Sequence, residues 1–563
     1  SVHGLPVIEH AEFGRNVPDE TVPDADKMEL GKIYHMGREE KADLILNRQA
    51  MASHTFVTGS TGTGTSNAVY HLLDEITKDG QTSFLVVEPA KGEYKNVLGS
   101  RADVKVFGTN PRETPLLRIN PFAFPQDIHI LEHIDRLVEI FNACWPMYAA
   151  MPAVLKDAIE RSYQKAGWNL RNSESEKGVF PTFFDLLNIL PGVIEESHYS
   201  KDTQSDYVGA LCTRVKSLTN GIYGSVFCAE DALSDAELFD CSVVVDLSRV
   251  GSMETKSLLM GILVMKLQEY RMCGSEMNSR LRHVTVLEEA HNLLRKTSTE
   301  QSQEGANLQG KSVEMLANAI AEMRTYGEGF IIADQAPGLL DMSVIRNTNT
   351  KIILRLPDEE DRKLVGKSAG LKEAQIDELS KLPLGVAAVY QNEWPEAVLC
   401  KVKAYPVPEN AVYHKPAAEA KVNTEFVFSR LASGKAAEPL SVSEIEQVKL
   451  WLKRHETMLK PDDSRYLECV FAGGALDEAK TRKAVFDFFG GLGMVVDYCD
   501  AAENSLTPRK EFLEQLQGQY GLKAAAADWV LNSVMSMGMS LNPDAEAVED
   551  LRTNFEQQGG RVL

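Results

Sequence analysis

The sequence lacks the features that mark membrane, disulfide-rich and zinc-binding proteins. Within its 563 residues no apolar run approaches the roughly 18 residues that a membrane-spanning helix needs. The start, Ser1 to Asn16, has no basic and then apolar signal pattern. The eight cysteines are scattered singly, without a CxxC pair or clustered histidines, so neither a zinc site nor a disulfide framework is indicated. We therefore predict a cytoplasmic protein without a membrane partner.

Positive charge is also scarce. Lysine and arginine number 59 against 81 acidic residues, which gives a formal net charge of −22. This excess of acid argues against broad, nonspecific binding of nucleic acid or of an acidic membrane, although a local basic channel stays compatible with it. The chain is about three to four times as long as a typical domain. A large, multidomain protein is therefore expected.

Short apolar runs rich in β-branched residues alternate with helical patterns over most of the chain. Eight such runs are predicted as strands: 54–58, 84–88, 104–107, 242–246, 284–288, 330–334, 352–355 and 386–390. Near-continuous apolar strands separated by helices are typical of a parallel sheet that is covered on both faces. The sequence therefore predicts an α/β protein whose sheet is mainly parallel.

The same pattern predicts the domain organisation. Segments 30–120 and 235–402 form the predicted core, and 121–234, with few strand signals, a helical insertion. Segment 403–440 is rich in proline, alanine and lysine and is interpreted as a linker. Segment 441–563 is predicted as a helical C-terminal domain, opened by a capping box of Ser441 and Glu444. Segment 1–29 is interpreted as the remnant of a truncated N-terminal domain.

A glycine-rich segment follows the first strand and opens a helix. It fits the pattern GxxxxGK[ST] of a phosphate-binding loop, in which glycines let backbone N–H groups surround a phosphate at a helix N-terminus. Its residues are Gly59, Ser60, Thr61, Gly62, Thr63, Gly64, Thr65, Ser66 and Asn67. The Ser66 hydroxyl is a predicted Mg²⁺ ligand, whereas Thr65 stands where the pattern requires lysine. A glycine-rich turn without a ligand is the alternative interpretation.

Two adjacent glutamates end a later apolar strand, as in the acidic strand of a nucleotide hydrolase. We predict that Glu288 holds Mg²⁺ through water and that Glu289 polarises the attacking water as a general base. Two acids at the end of a strand are also compatible with a solvated turn, but the phosphate loop upstream favours the site. Asp246 ends another strand and is interpreted as an ordinary core position, and His291 as a hydrogen-bonding neighbour of the site.

These motifs, in this order, resemble the HerA/FtsK-type ATPases of the RecA-like fold, and HerA most closely. Residues 54–67 resemble the family's GSTGSGKSN loop, 88–94 its DPxGEY segment and 288–294 its acidic strand with EAHN. Residues 324–329 are similar to its GRKxG turn, 334–337 to its SQRP sensor and 350–356 to its strand ending in Arg-Leu. The likeness covers roughly residues 30 to 402. Ser53 departs from the family, which often carries arginine there, and the family's N-terminal β-barrel is not evident in the sequence.

The resemblance implies an ATP- and Mg²⁺-dependent ring, most often hexameric, that moves duplex DNA with a partner nuclease or other effector. It further implies that Gln335 senses the γ-phosphate and that Arg324 and Arg355 stabilise transition-state charge, one of them on a neighbour's nucleotide. Arg324 as a helix cap and Arg355 paired with Asp358 or Asp361 are the alternatives. DNA end processing or anti-phage defence is the implied setting. A nucleotide-gated scaffold that organises an effector without moving DNA is the alternative function.

The threonine at position 65 is open to two interpretations. Either a substitution disables hydrolysis, which the otherwise intact motifs slightly favour, or the cation comes from elsewhere, such as Lys91 or a neighbour's arginine. Under both, the backbone N–H groups of the loop still bind Mg²⁺–nucleotide. We therefore expect a chain that binds nucleotide and hydrolyses it poorly.

Overall fold

The computed structural model describes residues 10–148, 150–297, 305–407, 410–416 and 422–563, with the side chains of 305–307 excepted. Residues 1–9 of the predicted N-terminal segment, and 408, 409 and 417–421 of the predicted linker, lie outside the described residues. The chain divides into two compact units. The α/β unit comprises the segments up to Leu117, 124–153 and 233–415, and the helical unit comprises 118–123, 154–232 and 416–563.

Eleven of the strands form one sheet. The strands are β1 (Lys27–His35), β2 (Arg38–Asn47), β3 (Thr55–Thr58), β4 (Ser83–Glu88), β5 (Val104–Gly108), β6 (Trp168–Asn169), β7 (Glu174–Ser175), β8 (Ser242–Asp246), β9 (His283–Glu288), β10 (Glu328–Asp334), β11 (Thr350–Ile353), β12 (Val386–Gln391) and β13 (Val398–Val402). The sheet order is β2-β1-β13-β12-β11-β3-β10-β9-β4-β8-β5, and β6 pairs with β7 separately. From β11 to β5 every neighbour is parallel, and the pairings from β11 through β12 to β2 are antiparallel.

The helices fall mainly between the parallel strands and in the C-terminal region. They are α1 (Thr65–Thr77), α2 (Tyr94–Leu98), α3 (Ile130–Cys144), α4 (Met151–Lys165), α5 (Phe183–Glu196), α6 (Lys201–Tyr207), α7 (Thr213–Thr219), α8 (Ile222–Phe227), α9 (Asp235–Phe239), α10 (Met253–Gly274), α11 (Gly305–Glu322), α12 (Met342–Arg346), α13 (Glu359–Ser368), α14 (Glu373–Glu378), α15 (Thr424–Ala432), α16 (Val442–Arg454), α17 (Pro461–Phe471), α18 (Glu478–Phe488), α19 (Leu492–Asn504), α20 (Pro508–Tyr520), α21 (Ala524–Leu541) and α22 (Ala545–Gln557). The predicted α/β class with a mainly parallel sheet and a helical C-terminal region is confirmed.

The strands of the α/β unit carry the apolar patterns that predict them. All eight predicted strands are present, within two residues of the predicted ends. β8 is buried along its whole length, as expected for a strand covered on both faces. Three further strands of the same sheet, β1, β2 and β13, were not predicted. The first half of β2 is largely exposed and charged, so it lacks the apolar run that marks the parallel strands.

The helical unit is assembled from separate stretches of sequence. The predicted insertion, 121–234, contributes 154–232 to it, while 124–153 belong to the α/β unit. Glu230 joins the insertion to the C-terminal helices, because its carboxylate accepts from Thr424 Oγ1 at 2.7 Å and contacts His455 Nε2. The segment predicted as a linker contains α15. The capping box of Ser441 and Glu444 forms at the start of α16 as predicted.

Two observations bear on the expectations about membranes and thiols. No helix of the described chain is long and apolar enough to cross a membrane. All eight cysteines are free. Cys144, Cys228 and Cys400 are buried, and Cys469 is exposed.

Candidate active site

The carboxyl ends of the parallel strands gather polar residues at one edge of the sheet. The register pairs Asp334 of β10 with Thr58 of β3, and Ala333 with Glu288 of β9. Because neighbouring parallel strands end at the same edge, the phosphate loop after β3 and the acids after β9 and β10 are close together. This edge is the candidate active site.

The phosphate loop has the backbone conformation that anion binding requires. Gly62 and Gly64 take φ angles of 77° and 109°, which favour glycine. Gly64 is the N-cap of α1 and no side chain caps that end, so N–H groups at the first turn stay available for a phosphate. A Cβ on Gly59 would lie 2.7 Å from Leu354 Cβ. The sequence therefore folds this loop as the glycine pattern predicts.

Thr65 begins α1 and turns its hydroxyl onto the loop itself. Thr65 Oγ1 donates to the carbonyl of Gly59 at 3.5 Å. The side chain carries no charge and reaches only the backbone beneath it. A cation at the loop must therefore come from another residue.

Gln335 connects the loop to the acidic strand end. Thr61 Oγ1 donates to Gln335 Oε1 at 2.6 Å, and Gln335 Nε2 donates to Glu289 Oε1 at 2.8 Å. One side chain thus contacts both the phosphate loop and the predicted general base. This placement is compatible with the γ-phosphate sensor that the sequence resemblance implies.

Glu288 and Glu289 are held in an environment that favours their protonated forms. Burial raises the pKa of Glu288 to about 7, against a lowering by the hydrogen bond from the Tyr94 hydroxyl. Burial, followed by the nearby Asp334 carboxylate, raises the pKa of Glu289. Glu289 also has a positive φ of 44°, an unfavourable backbone for glutamate that is typical of functional positions. A carboxylate with a raised pKa is a stronger base.

Asp334 and His291 form a pair beside the glutamates. Asp334 Oδ2 accepts from the backbone N–H of His291 at 2.9 Å and contacts His291 Nδ1 at 2.9 Å. The hydrogen bond to Asp334 raises the pKa of His291. His291 is therefore a hydrogen-bonding neighbour of the site, in agreement with its interpretation from sequence. The role of Asp334 was missed, although its position at the end of an apolar strand was a usable signal.

In the segment after β4, only Lys91 was assigned a role from the sequence, as one alternative source of the cation that Thr65 does not supply. Glu88 accepts from the backbone N–H groups of Glu93 at 2.8 Å and Tyr94 at 3.1 Å. Burial raises the pKa of Glu88 to about 8. The Tyr94 hydroxyl donates to Glu288. Glu88 and Tyr94 thus fix this segment against the acidic strand end, which only the pairing of β4 with β9 reveals.

The two predicted arginines lie at different edges of the sheet. The carbonyl of Arg355 accepts from Ser60 N at 2.9 Å and Ser60 Oγ at 3.1 Å, which places Arg355 beside the phosphate loop. Arg324 lies before β10, a strand of seven residues, hence about 20 Å from the edge that carries the loop. The alternative partners of Arg355 have other donors. Asp358 accepts from the backbone N–H of Asp361, and Asp361 accepts from the backbone N–H of Gly338.

Of the two residues that end the phosphate-loop motif, Asn67 is held by hydrogen bonds within the protein, and Ser66 is the predicted metal ligand. Asn67 Nδ2 donates to the carbonyl of Lys403 at 3.0 Å, and its Oδ1 accepts from Tyr405 N at 2.8 Å. These contacts secure α1 to the chain after β13. Ser66 is the second residue of α1, and its hydroxyl with the Glu288 carboxylate provides the oxygen ligands that Mg²⁺ prefers. The residues present therefore fit a Mg²⁺-bound nucleotide.

Comparison with known proteins identifies relatives for most of the chain. The family model described as "Helicase HerA, central domain" matches residues 28–335. A protein of Sulfolobus acidocaldarius named "DNA double-strand break repair helicase HerA" is 25% identical over 381 residues, which cover 66% of this chain and 68% of the relative. A protein of Methanocaldococcus jannaschii named "Probable helicase MJECL08" is 23% identical over 437 residues, 71% of this chain and 76% of the relative.

A solved structure shares the fold. VirB4 of Thermoanaerobacter pseudethanolicus superposes with a TM-score of 0.50 at 18% sequence identity, covering 68% of this chain and 98% of that one. The matched family span contains the phosphate loop, the acidic pair and Gln335. It also exceeds half of the chain, so the predicted resemblance is confirmed and this protein belongs to the family of the HerA helicase central domain.

Proposed function

We propose that this protein is a ring-forming ATPase that couples binding and hydrolysis of Mg²⁺–ATP to movement along duplex DNA. The observation that carries the proposal is the bridge from Thr61 through Gln335 to Glu289. It joins a phosphate loop to a general base in one hydrogen-bonded unit. A glycine-rich turn that binds no ligand does not require a hydrogen-bonded link to an acidic side chain.

The residues of this site divide the work of nucleotide hydrolysis. The loop N–H groups bind and orient the phosphates. Ser66 and, through water, Glu288 would hold Mg²⁺, which would neutralise charge on the phosphates. Glu289 accepts the proton of the attacking water. Glu288 would hold the ion in its ionised form.

The separation of the two arginines supports a ring. Arg355 lies beside the phosphate loop of its own chain, whereas the exposed Arg324 lies at the other edge of the sheet. We propose that Arg324 acts on the nucleotide of a neighbouring subunit. A head-to-tail interface of this kind repeats until the ring closes, and the proposed ring is a hexamer.

Duplex DNA is the proposed polymer, contacted through loops that line the ring. Lys296 and Lys311 are exposed and flank residues 298–304, which lie outside the described part of the chain. Arg112 is also exposed, whereas Arg118 pairs with Asp231 and is a weaker candidate. The name of the Sulfolobus relative favours repair of DNA double-strand breaks as the setting, and DNA end processing with a partner nuclease is predicted from the sequence resemblance. A role in anti-phage defence stays a prediction.

Salt-dependent DNA binding tests this function. We expect affinity of the full chain for duplex DNA, with Mg²⁺ and a nonhydrolysable ATP analogue, to fall steeply with salt. Lys296→Glu and Lys311→Glu together should lower the salt slope by about two, since each lysine neutralises about one phosphate. A matched control is Lys363→Glu, because Lys363 pairs with Glu359 on α13.

A salt-independent or absent interaction with DNA would contradict the translocase and favour a scaffold. Mass photometry in the same buffers measures the ring directly. Only monomers at micromolar concentration, with and without nucleotide, would contradict the ring.

A further inference from the structure

The five residues between Glu88 and Tyr94 form a closed loop at the candidate active site. Both ends are fixed, because the Glu88 carboxylate binds the backbone N–H groups of Glu93 and Tyr94, and the Tyr94 hydroxyl donates to Glu288. The register places Val87 of β4 opposite Leu287 of β9. The loop is therefore held beside the strand end that carries Glu288 and Glu289.

Lys91 occupies the apex of this loop in a strained conformation. Its φ is 64°, and Gly92 N donates to the carbonyl of Ala90 at 2.7 Å across it. A three-residue turn with a positive φ at its central residue is rare and unfavourable for any residue other than glycine. Strain of this kind persists where the surrounding structure enforces it, and it clusters at active sites.

The loop is shaped to keep Lys91 there. Gly92 has a φ of 69°, and a Cβ on it would lie 2.8 Å from Ser248 Oγ. Glycine therefore follows Lys91 because the chain must pass close to the neighbouring segment. The turn leaves the Lys91 side chain exposed.

Among the described residues, Lys91 is the lysine of this loop that makes no ion pair. The neighbouring Lys95 is instead paired with Asp246 at 2.5 Å and with Glu113 at 3.2 Å. Thr65, at the phosphate loop, supplies no charge.

We propose that Lys91, held at the apex of the strained turn after β4, supplies the phosphate-binding cation that the phosphate loop lacks at position 65. This inference rests on the proposed function. The lysine comes from a different loop but reaches the same edge of the sheet. It compensates for Thr65 in binding of the nucleotide, within one chain and without an arginine from a neighbour, whereas the transition-state charge of a loop lysine stays missing.

Replacing Lys91 with glycine separates charge from structure. Glycine adopts the positive φ without strain, so Lys91→Gly should leave the thermal midpoint unchanged or raise it. By isothermal titration calorimetry of the full chain with Mg²⁺, we expect ATP affinity to fall by about tenfold or more, as for loss of a charged hydrogen bond. Affinity for ADP should fall less, because ADP has no γ-phosphate. Lys91→Arg should retain ATP affinity within about threefold.

Two controls localise the effect. Lys401 lies near the phosphate loop, because its Nζ donates to the carbonyl of Leu384 at 2.5 Å and the next residue, Gly385, donates its N–H to the carbonyl of Thr63 at 3.0 Å. Lys401→Ala should bind ATP like the parent chain. In a Thr65→Lys background, Lys91→Gly should lower ATP affinity by less than about threefold, because the loop then has its own cation.

Four outcomes would overturn the inference. They are unchanged ATP affinity in Lys91→Gly, equal loss in Lys91→Gly and Lys91→Arg, a comparable loss in Lys401→Ala, and a full loss that persists in the Thr65→Lys background. A parent chain that binds neither ATP nor ADP with Mg²⁺ would overturn the proposed function as well. If the parent chain binds ATP and one of the four outcomes is observed, the inference fails and the proposed function stands.

Discussion

The α/β unit and the helical unit use buried polar groups in different ways. In the α/β unit, acids from neighbouring strand ends meet at one edge of the sheet, where Glu288, Glu289 and Asp334 lie within reach of the phosphate loop. In the helical unit, Glu230 makes contacts to Thr424 and His455 that hold distant segments together. The first arrangement leaves polar groups available to a ligand, and the second satisfies them internally.

This difference explains where function can be located in the chain. Parallel strands necessarily bring their carboxyl ends to one edge, so a site forms from residues far apart in sequence. Packed helices instead bury apolar stripes such as Val448, Trp451 and Leu452. The helical unit is therefore expected to stabilise the protein or bind partners rather than react with nucleotide.

The largest effect is expected from restoring the lysine of the phosphate loop. Thr65→Lys should raise ATP turnover by on the order of 10³-fold, because a cation at this position stabilises charge in the transition state more than in the bound substrate. Phosphate release at saturating ATP measures the change. Equal turnover in both proteins would show that the loop already has all the charge that it needs.

The general base is tested in the same background. Glu289→Gln, introduced with Thr65→Lys, should lower turnover by about 10²-fold or more while ATP remains bound, since the amide keeps the shape and loses the base. Rapid-quench kinetics and equilibrium binding separate the two effects. If turnover persists, Glu288 becomes the candidate base.

A third prediction concerns the acid sensitivity of the α/β unit. Burial lowers the pKa of His54 to about 4 from 6.5, so the unfolded chain binds the proton more tightly. The contribution of His54 to the free energy of unfolding is therefore fully present above pH 6.5. It decreases as the pH falls toward 4, by about 3 kcal/mol in total for a pKa shift of this size. His54→Asn should remove this pH dependence.

Urea unfolding at several pH values measures the His54 effect, as the difference between the parent chain and the variant. Phe330 N donates to His54 Nδ1 at 3.0 Å, an acceptor that protonation abolishes. Parallel stability profiles for the two proteins between pH 7 and pH 4 would contradict the assignment.

The smallest effect is expected in the helical unit. Glu230→Ala should lower the free energy of unfolding by about 2 kcal/mol, because Thr424 and His455 lose their acceptor. Trp451, whose Nε1 donates to Thr424 Oγ1 at 3.1 Å, reports this change by fluorescence. Nucleotide affinity should stay unchanged. If Glu230→Ala lowered ATP affinity as well as stability, the functional difference between the two units would be contradicted.

Much of the α/β unit was predictable because its signals are local. Apolar runs predicted eight of the eleven strands of the main sheet, and glycine spacing predicted the phosphate loop, in which Gly62 and Gly64 have positive φ angles. The edge strand β2 and its neighbour β1 escaped prediction because charged residues interrupt their apolar pattern. Helix caps such as Ser441 were predictable for the same reason, since the capping residues lie within one turn of each other.

The sequence by itself determined the order of motifs, the parallel strands and the identity of the loop and the acidic pair, because each depends on residues that are neighbours in the chain. Only the tertiary structure decided that Gln335 bridges Thr61 and Glu289, that Arg324 lies at the other edge of the sheet and that the loop carrying Lys91 is held beside the acidic pair. The physical reason is that strand order is set by long-range packing, and no local pattern encodes which strand ends become neighbours.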